Sequence, residues 1–357
     1  MNKRLIIFII IGFAVTAAAL AFAIGYIDFS GKPDEITETK EDIITDEIPY
    51  QKFTAAQKLK VDANAVVRYT IIPESPAPGE PLIVGVNTNE VQALLVVNGR
   101  QIGSAKFFDC PPEDGKPGFK AAFMAIPSTA RIGSASIKMI NEWGAAYEIP
   151  FTIAPRTFRT ETLHLNPSLT ALITEPDPQK TIEAEKLWSI LAATGSAIYH
   201  PGKFVMPINS TRRTSIFGTR RVHQYSDGRT NTAIHAGVDF GAPLGTEVYA
   251  CATGLVKLAR HRIVTGNTII IEHAPGMYSL YYHLDEVISK EDSFVKAGDL
   301  IGLVGSTGFS TGPHLHWELR IATENTDPDI FISRPVIDKD LIISKIYDIE
   351  ADQTERR

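Results

Sequence analysis

Gly305-Ser306-Thr307-Gly308-Phe309-Ser310-Thr311-Gly312-Pro313-His314-Leu315-His316-Trp317 is the stretch whose reading decides the fold. It opens as a glycine-rich loop and closes as the start of a strand. Alternate residues on a strand face the same side, so His314 and His316 point into one site. Trp317 begins the opposite alternation, which suits a strand with one packed face. A surface histidine pair has the same spacing and is the blander, less favoured reading.

Working outward, Glu247 to Ala250, Gly254 to Leu258, Thr268 to Glu272, Ser279 to His283 and Leu300 to Val304 are β-type runs cut by glycines and prolines. Helical periodicity is poor there. Two glycine-bounded segments, Gly245 to Gly254 and Gly298 to Gly305, are weakly alike. Just before this region lies His235-Ala236-Gly237-Val238-Asp239. A four-residue step along a straight strand covers about 13 Å, whereas zinc ligand atoms sit about 2.0–2.2 Å from the metal. Both side chains reach one ion only if the chain bends, and Gly237 is the expected place. His283, in Leu280-Tyr281-Tyr282-His283-Leu284, would alone be read as a core histidine. Tyr282 is expected on the other strand face, as packing.

Taken together, Phe217-Gly218-Thr219-Arg220, His235 to Asp239, Gly245-Thr246-Glu247-Val248, Tyr282-His283-Leu284, Gly305 to Gly308 and Gly312 to Trp317 form an ordered set. With them, Phe204 to Pro328 resembles the lysostaphin-type (LytM-like) zinc endopeptidases that cut peptidoglycan peptides. The resemblance covers about a third of the chain. It implies one Zn2+ held by His235, Asp239 and His316, with His283 and His314 left for catalysis. Spacing alone leaves His314 open as a further ligand. The implied chemistry is attack of a zinc-activated water on a peptide carbonyl. His314 is then the candidate general base, and His283 bonds the water or the oxyanion; these two roles are exchangeable. Arg220 either holds a substrate carboxylate or braces the fold. His273 is read as structural, and His223 and His261 as surface groups. Asn231 lies too close to His235 to be an occluding ligand.

The chain has 357 residues, 44% of them hydrophobic and 21% charged, with a formal net charge of -6. That balance gives no sign of nucleic-acid binding. Residues 1–24 read as a signal anchor or signal peptide. Lys3 and Arg4 precede an apolar run, Leu5 to Ile24, long enough at about 1.5 Å per residue to span a bilayer core. The basic flank places the N-terminus in the cytoplasm and the remainder outside it. Ala21-Phe22-Ala23 is the alternative, a cleavage site. Residues 25–60 form an acidic linker.

Residues 61–153 read as an immunoglobulin-like β-sandwich, with Asn98-Gly99 as a two-residue hairpin between Val91 to Val97 and Gln101-Ile102. No catalytic cluster lies there, so its expected role is positioning, or binding an envelope protein. Residues 154–203 form a connector with a helix from Thr181 to Ala193, whose apolar face is Ile182, Leu187, Ile190 and Leu191. Trp188 is read as core. Residues 204–335 form the peptidase domain and 336–357 a tail with a short helix. Cys110 and Cys251 fall in different domains and are expected unpaired.

The expectation is therefore a mainly β protein of the cell envelope. It would be anchored in the inner membrane by its N-terminal segment, face the periplasm and cut peptidoglycan peptides. The sandwich and the Thr181 helix are expected to limit access to the groove. The alternative is a non-catalytic LytM-type regulator that binds peptidoglycan and activates an amidase. Members of that class have typically lost ligands or catalytic histidines, and all five groups stand here.

Overall fold

Asn98 and Gly99 both take positive φ, 51° and 77°, the backbone that a type I′ hairpin demands. The turn joins β3 (Glu90–Val97) to β4 (Arg100–Lys106) in a sandwich whose other strands are β1 (Tyr69–Ile72), β2 (Pro81–Val86), β5 (Phe108–Cys110), β6 (Phe119–Ala125), β7 (Gly133–Asn141) and β8 (Ala146–Ile153). These belong to a computed structural model that describes residues 67–142, 144 and 146–347. The apolar segment and acidic linker expected at the N-terminus, and the last residues of the tail, lie outside the described residues. Among the described residues, no helix is long and apolar enough to cross a membrane.

The strand orders are β1-β2-β6-β5 and β4-β3-β7-β8. Lettered along the chain, that is A-B-E-D against C′-C-F-G, the order of an immunoglobulin sandwich with one added strand. Inward residues of both sheets, among them Leu82, Val84, Leu95, Met124 and Ile137, form one core. The outer face of β2 and β6 is covered as well. Ile83, Phe119, Ala121 and Phe123 join a second core that continues into the C-terminal half. β2 is consequently buried at every position. It reads as a continuous apolar run rather than an alternating one.

The connector begins with β9 (Thr160–His164), followed by α1 (Pro167–Thr174) and α2 (Pro178–Ala192). Each helix starts with proline at its first position after a capping side chain: Asn166 accepts from the Leu169 amide, and Asp177 from that of Gln179. In α2, Leu187, Ile190 and Leu191 pack on Leu258, Ile270, Tyr278 and Leu280 as expected. Ile182 does not; it is 57% exposed, and the buried residue of that turn is Ala184. α1 had no reading in the sequence. Its eight residues give too little apolar periodicity to stand out.

The C-terminal strands are β10 (Arg213–Ser215), β11 (Arg220–Gln224), β12 (Thr230–Ile234), β13 (Gly237–Gly241), β14 (Glu247–Tyr249), β15 (Gly254–Arg262), β16 (Gly266–Ala274), β17 (Met277–Val287), β18 (Phe294–Val295), β19 (Leu300–Val304), β20 (His314–Ile321) and β21 (Glu324–Thr326). The main sheet runs β10-β13-β20-β17-β16-β15-β18, and β11 lies between β12 and β9 in a separate small sheet. The two alike glycine-bounded segments pair with each other, as Glu247 lies opposite Leu303. Cys110 and Cys251 are free and buried.

Two helices follow, α3 (Ile330–Ser333) and α4 (Lys339–Tyr347). α4 returns to the sandwich. A side chain on Gly85 would lie 2.8 Å from Ile342 and 3.2 Å from Ile346, so the bare backbone of β2 admits the helix. Ile342 is fully buried. Truncation to alanine is expected to cost about 2–5 kcal/mol, measured as a lowered denaturant midpoint of Ile342→Ala.

His273, in the core behind the sheet, donates from Nδ1 to the Thr253 carbonyl at 2.9 Å and meets the Ser279 hydroxyl through Nε2 at 2.7 Å. Burial lowers its pKa from the ordinary 6.5 to about 4. The unfolded chain therefore takes up a proton below pH 6.5 that the folded one refuses until about pH 4. Its contribution to stability is complete above that window and is lost as pH falls through it. The slope of denaturant midpoint against pH between those values should be shallower in His273→Gln.

Candidate metal centre

Asp239 and His316 are direct partners across the β13–β20 pairing, so their side chains project from neighbouring positions on one face. His235 arrives from another sheet. β12 ends at Ile234 and β13 begins at Gly237, so the bend lies at His235–Ala236 and not at Gly237. Gly237 is needed for close approach instead, since a Cβ there would sit 2.2 Å from the Trp317 carbonyl oxygen. The Phe217-Gly218-Thr219 segment clamps the bend. The Gly218 amide donates to the His235 carbonyl, and the His235 amide to that of Thr219, both at 2.9 Å.

The three side chains converge. His235 Nε2 lies 3.0 Å from Asp239 Oδ1 and 3.0 Å from His316 Nδ1. His316 Nδ1 lies 2.7 Å from the same oxygen. The far nitrogens are committed elsewhere, His235 Nδ1 to the Ile216 carbonyl at 2.9 Å and His316 Nε2 to Glu318 Oε1 at 3.0 Å. In neutral rings those contacts hold the protons. Two bare nitrogen lone pairs and a carboxylate oxygen then face one another, an arrangement that a shared proton or a metal ion relieves. Burial opposes charge on His316, but Asp239 and Glu318 outweigh it and raise its pKa to about 9. Burial also opposes charge on Asp239, yet the two imidazoles hold its pKa well below the usual carboxylate range. A buried set of two imidazoles and one carboxylate fits a metal such as zinc, with room for an open position.

His283 and His314 stand beside this set, their rings 4.8 Å apart. His314 Nε2 is 3.8 Å from Asp239 Oδ1. The outer nitrogens of both rings meet backbone carbonyls at 2.8 Å, His283 Nδ1 that of Thr307 and His314 Nδ1 that of Gly312. Each carbonyl fixes the tautomer and leaves Nε2 as an acceptor. Burial, helped by His314 and His316, pushes the pKa of His283 down to about 3. Burial also lowers that of His314. Both rings are neutral at neutral pH.

Tyr282 departs from its expected place. It stacks on His316, centroids 5.3 Å apart and planes within 9°, and lines the same groove as His283. Alternation fails because His283 has φ 62°, a left-handed backbone that turns the strand at that residue.

The alternation of β20 continues past the histidines. Glu318 supports His316, and Arg320 Nε donates to Glu318 Oε2 at 3.0 Å. The step of two that marks His314 and His316 leads straight to this supporting pair, which sequence reasoning left unused. Arg221 was missed as well. Its Nη2 donates to Asp239 Oδ2 at 2.7 Å and its Nε to Glu161 Oε1 at 2.5 Å. Arg220 points away: its Nη2 donates to the Ser128 carbonyl at 2.6 Å, its guanidinium lies 4.3 Å from the Phe158 ring, and it bridges to the sandwich. His223 is buried rather than on the surface, with neither ring nitrogen partnered, and lines the groove beside Phe309. His261 is exposed, and Asn231 sits on β12, its Oδ1 accepting from the Thr232 amide.

The groove encloses about 460 Å³. Connector residues Glu161, Leu163 and Ile173 form part of its wall, with no residue from the sandwich or from α2. The expectation that those two elements limit access thus finds no contact in the groove, and β9 and α1 stand at its edge instead.

Comparison with known proteins agrees with this geometry. Residues 233–328 match the family described as Peptidase family M23. A relative in Neisseria meningitidis, the DD-carboxypeptidase/endopeptidase Mpg, is 39% identical over 135 residues, 38% of this chain and 30% of that protein. The peptidoglycan DD-endopeptidase ShyA of Vibrio cholerae is 40% identical over 114 residues, 32% of this chain and 26% of that one. The matches thus span less than a third of these relatives. A crystal structure of a Pseudomonas aeruginosa protein assigned to peptidase M23 superposes with a TM-score of 0.51 at 22% identity, covering 72% of this chain and 94% of that one. It shares the fold. Residues 233–328 of the C-terminal half therefore match a metallopeptidase domain, that of Peptidase family M23.

Loss of the Glu318 carboxylate should loosen His316 while sparing the ligands themselves. Glu318→Gln is expected to weaken zinc affinity by about 10–100-fold, read by competition with a chromophoric chelator.

Proposed function

We propose that this protein is a zinc-dependent endopeptidase that hydrolyses peptide bonds of peptidoglycan. The observation that carries the reading is the pair of neutral, proton-accepting imidazoles beside a buried set of two histidines and one aspartate. His235 through Nε2, Asp239 through Oδ1 and His316 through Nδ1 would hold the ion. Zinc bound there supplies Lewis acidity toward water and a peptide carbonyl.

The remaining chemistry belongs to the chain. His283 and His314 each offer a lone pair at Nε2, and rings 4.8 Å apart suit one water donating to both. His314 takes the proton of that water as it attacks, then delivers it to the leaving amine. The Gly312 carbonyl stabilises the imidazolium formed in between. His283, held by Thr307, accepts a hydrogen bond and orients the water. Arg221 fixes the rotamer of Asp239 from its outer oxygen. The relatives named as DD-endopeptidases support peptidoglycan peptides as the substrate class. The apolar run Leu5 to Ile24 behind Lys3 and Arg4 supports an anchor in the inner membrane with the domain on the periplasmic side.

Zinc-loaded protein should cut cross-linked muropeptides, with products identified by mass spectrometry. His314→Ala should keep its zinc and lose about 10²–10⁴ in rate; His235→Ala should lose the metal too. Absence of cleavage by the wild type, together with full activation of an amidase by His314→Ala, would instead establish the regulator.

A further inference from the structure

We infer that Arg212 anchors a carboxylate of the substrate peptide beside the scissile bond. The inference rests on the endopeptidase reading above and adds a determinant of specificity to it.

The argument starts from one row of the sheet. Gly241 is the direct partner of His314 across β13 and β20, and its amide donates to the Arg212 carbonyl at 2.9 Å. Paired residues of antiparallel strands project from the same face. The missing side chain of Gly241 therefore points where His314 points, into the groove. The space is shared by Thr214 and Arg212, for a Cβ on Gly241 would lie 2.9 Å from Thr214 Cγ2 and 3.1 Å from Arg212 Nη1. The guanidinium thus lies over the glycine, next to the proposed base. Arg213 goes the other way, over the Phe240 ring at 4.7 Å and onto Asp329 at 2.7 and 2.9 Å.

The other charges of the groove are already engaged. Arg221 holds Asp239 and Glu161, and Arg320 holds Glu318. Arg212 lines the groove, is exposed, and its guanidinium has no ion pair or hydrogen bond among the described residues. A planar guanidinium in that position matches a carboxylate with two parallel hydrogen bonds. Strand rows lie about 4.8 Å apart and an extended peptide advances about 3.3 Å per residue. The carboxylate recognised is therefore within about two residues of the bond that is cut. Stem peptides of peptidoglycan carry free carboxylates, which amidation removes without altering the backbone.

The test compares a cross-linked muropeptide dimer bearing free carboxylates next to its cross-link with the same dimer amidated there. Zinc-loaded wild type should prefer the free acid by about 10–100-fold in kcat/KM, chiefly through KM. The preference should collapse in Arg212→Ala, persist in part in Arg212→Lys, and remain in Arg213→Ala. A preference near one in the wild type, or one undiminished in Arg212→Ala, overturns the inference. Binding of the same two dimers to zinc-loaded His314→Ala protein reads the preference without turnover. Tighter binding of the acid that vanishes with Arg212→Ala supports the anchor even if the wild type cuts neither dimer, a result that would sink only the endopeptidase reading. Equal affinities overturn the anchor whatever the activity.

Discussion

Three electron-pair donors gathered around one point are the constraint on which the rest depends. His235 Nε2, His316 Nδ1 and Asp239 Oδ1 stand within 3.0 Å of one another, and each is held there by a group that faces away from the centre. The Ile216 carbonyl fixes one ring, Glu318 the other, and Arg221 the carboxylate. Without a metal ion, a proton on His316, whose pKa is raised to about 9, relieves the crowding of lone pairs in this buried place. The surrounding sheet supplies the rigidity that keeps it from relaxing. Backbone pairing sets Asp239 against His316, and the clamp at Gly218 and Thr219 sets His235 against both.

The same constraint explains why the connector belongs to the site. Arg221 bears on Asp239 with one side of its guanidinium and on Glu161 with the other. Glu161 lies on β9, which runs parallel to β11. The orientation of a candidate ligand is therefore tied to a strand that comes before both helices. The sandwich acts at one remove. Arg220 reaches the Ser128 carbonyl, Arg156 of the connector bridges the Pro78 carbonyl at 3.3 Å and Asp327 at 2.5 Å, and Arg334 donates to the Pro81 carbonyl at 2.9 Å. These contacts fasten the two halves around a shared core.

Much of this was legible in the chain. Strand alternation announced β20, the Asn98-Gly99 pair announced its hairpin, and the ordered motifs brought His235, Asp239, His283, His314 and His316 into one neighbourhood. What escaped reading has physical causes. β2 is covered on both faces, so its pattern lacks a period. β9 and α1 owe their form to the surface they dock on, which local sequence does not describe. Tyr282 was placed on the wrong face because His283 breaks the strand with a left-handed backbone. Arg220 and Arg221 are neighbours, so their faces depend on a register that only the pairing of β11 with β12 and β9 sets. Glu318 and Arg320 were within reach of the alternation rule and needed only two more steps of it.

The return of α4 to the sandwich has a consequence for biogenesis. The outer face of β2 is made from residues 81–86, whereas the helix laid across it comes from residues 339–347. A chain made N-terminus first presents that apolar sheet long before its cover. Completion of the sandwich therefore waits for the peptidase domain to emerge. In that interval a partly built protein offers a greasy surface to chaperones and proteases, and a chain cut short before α4 would offer it permanently.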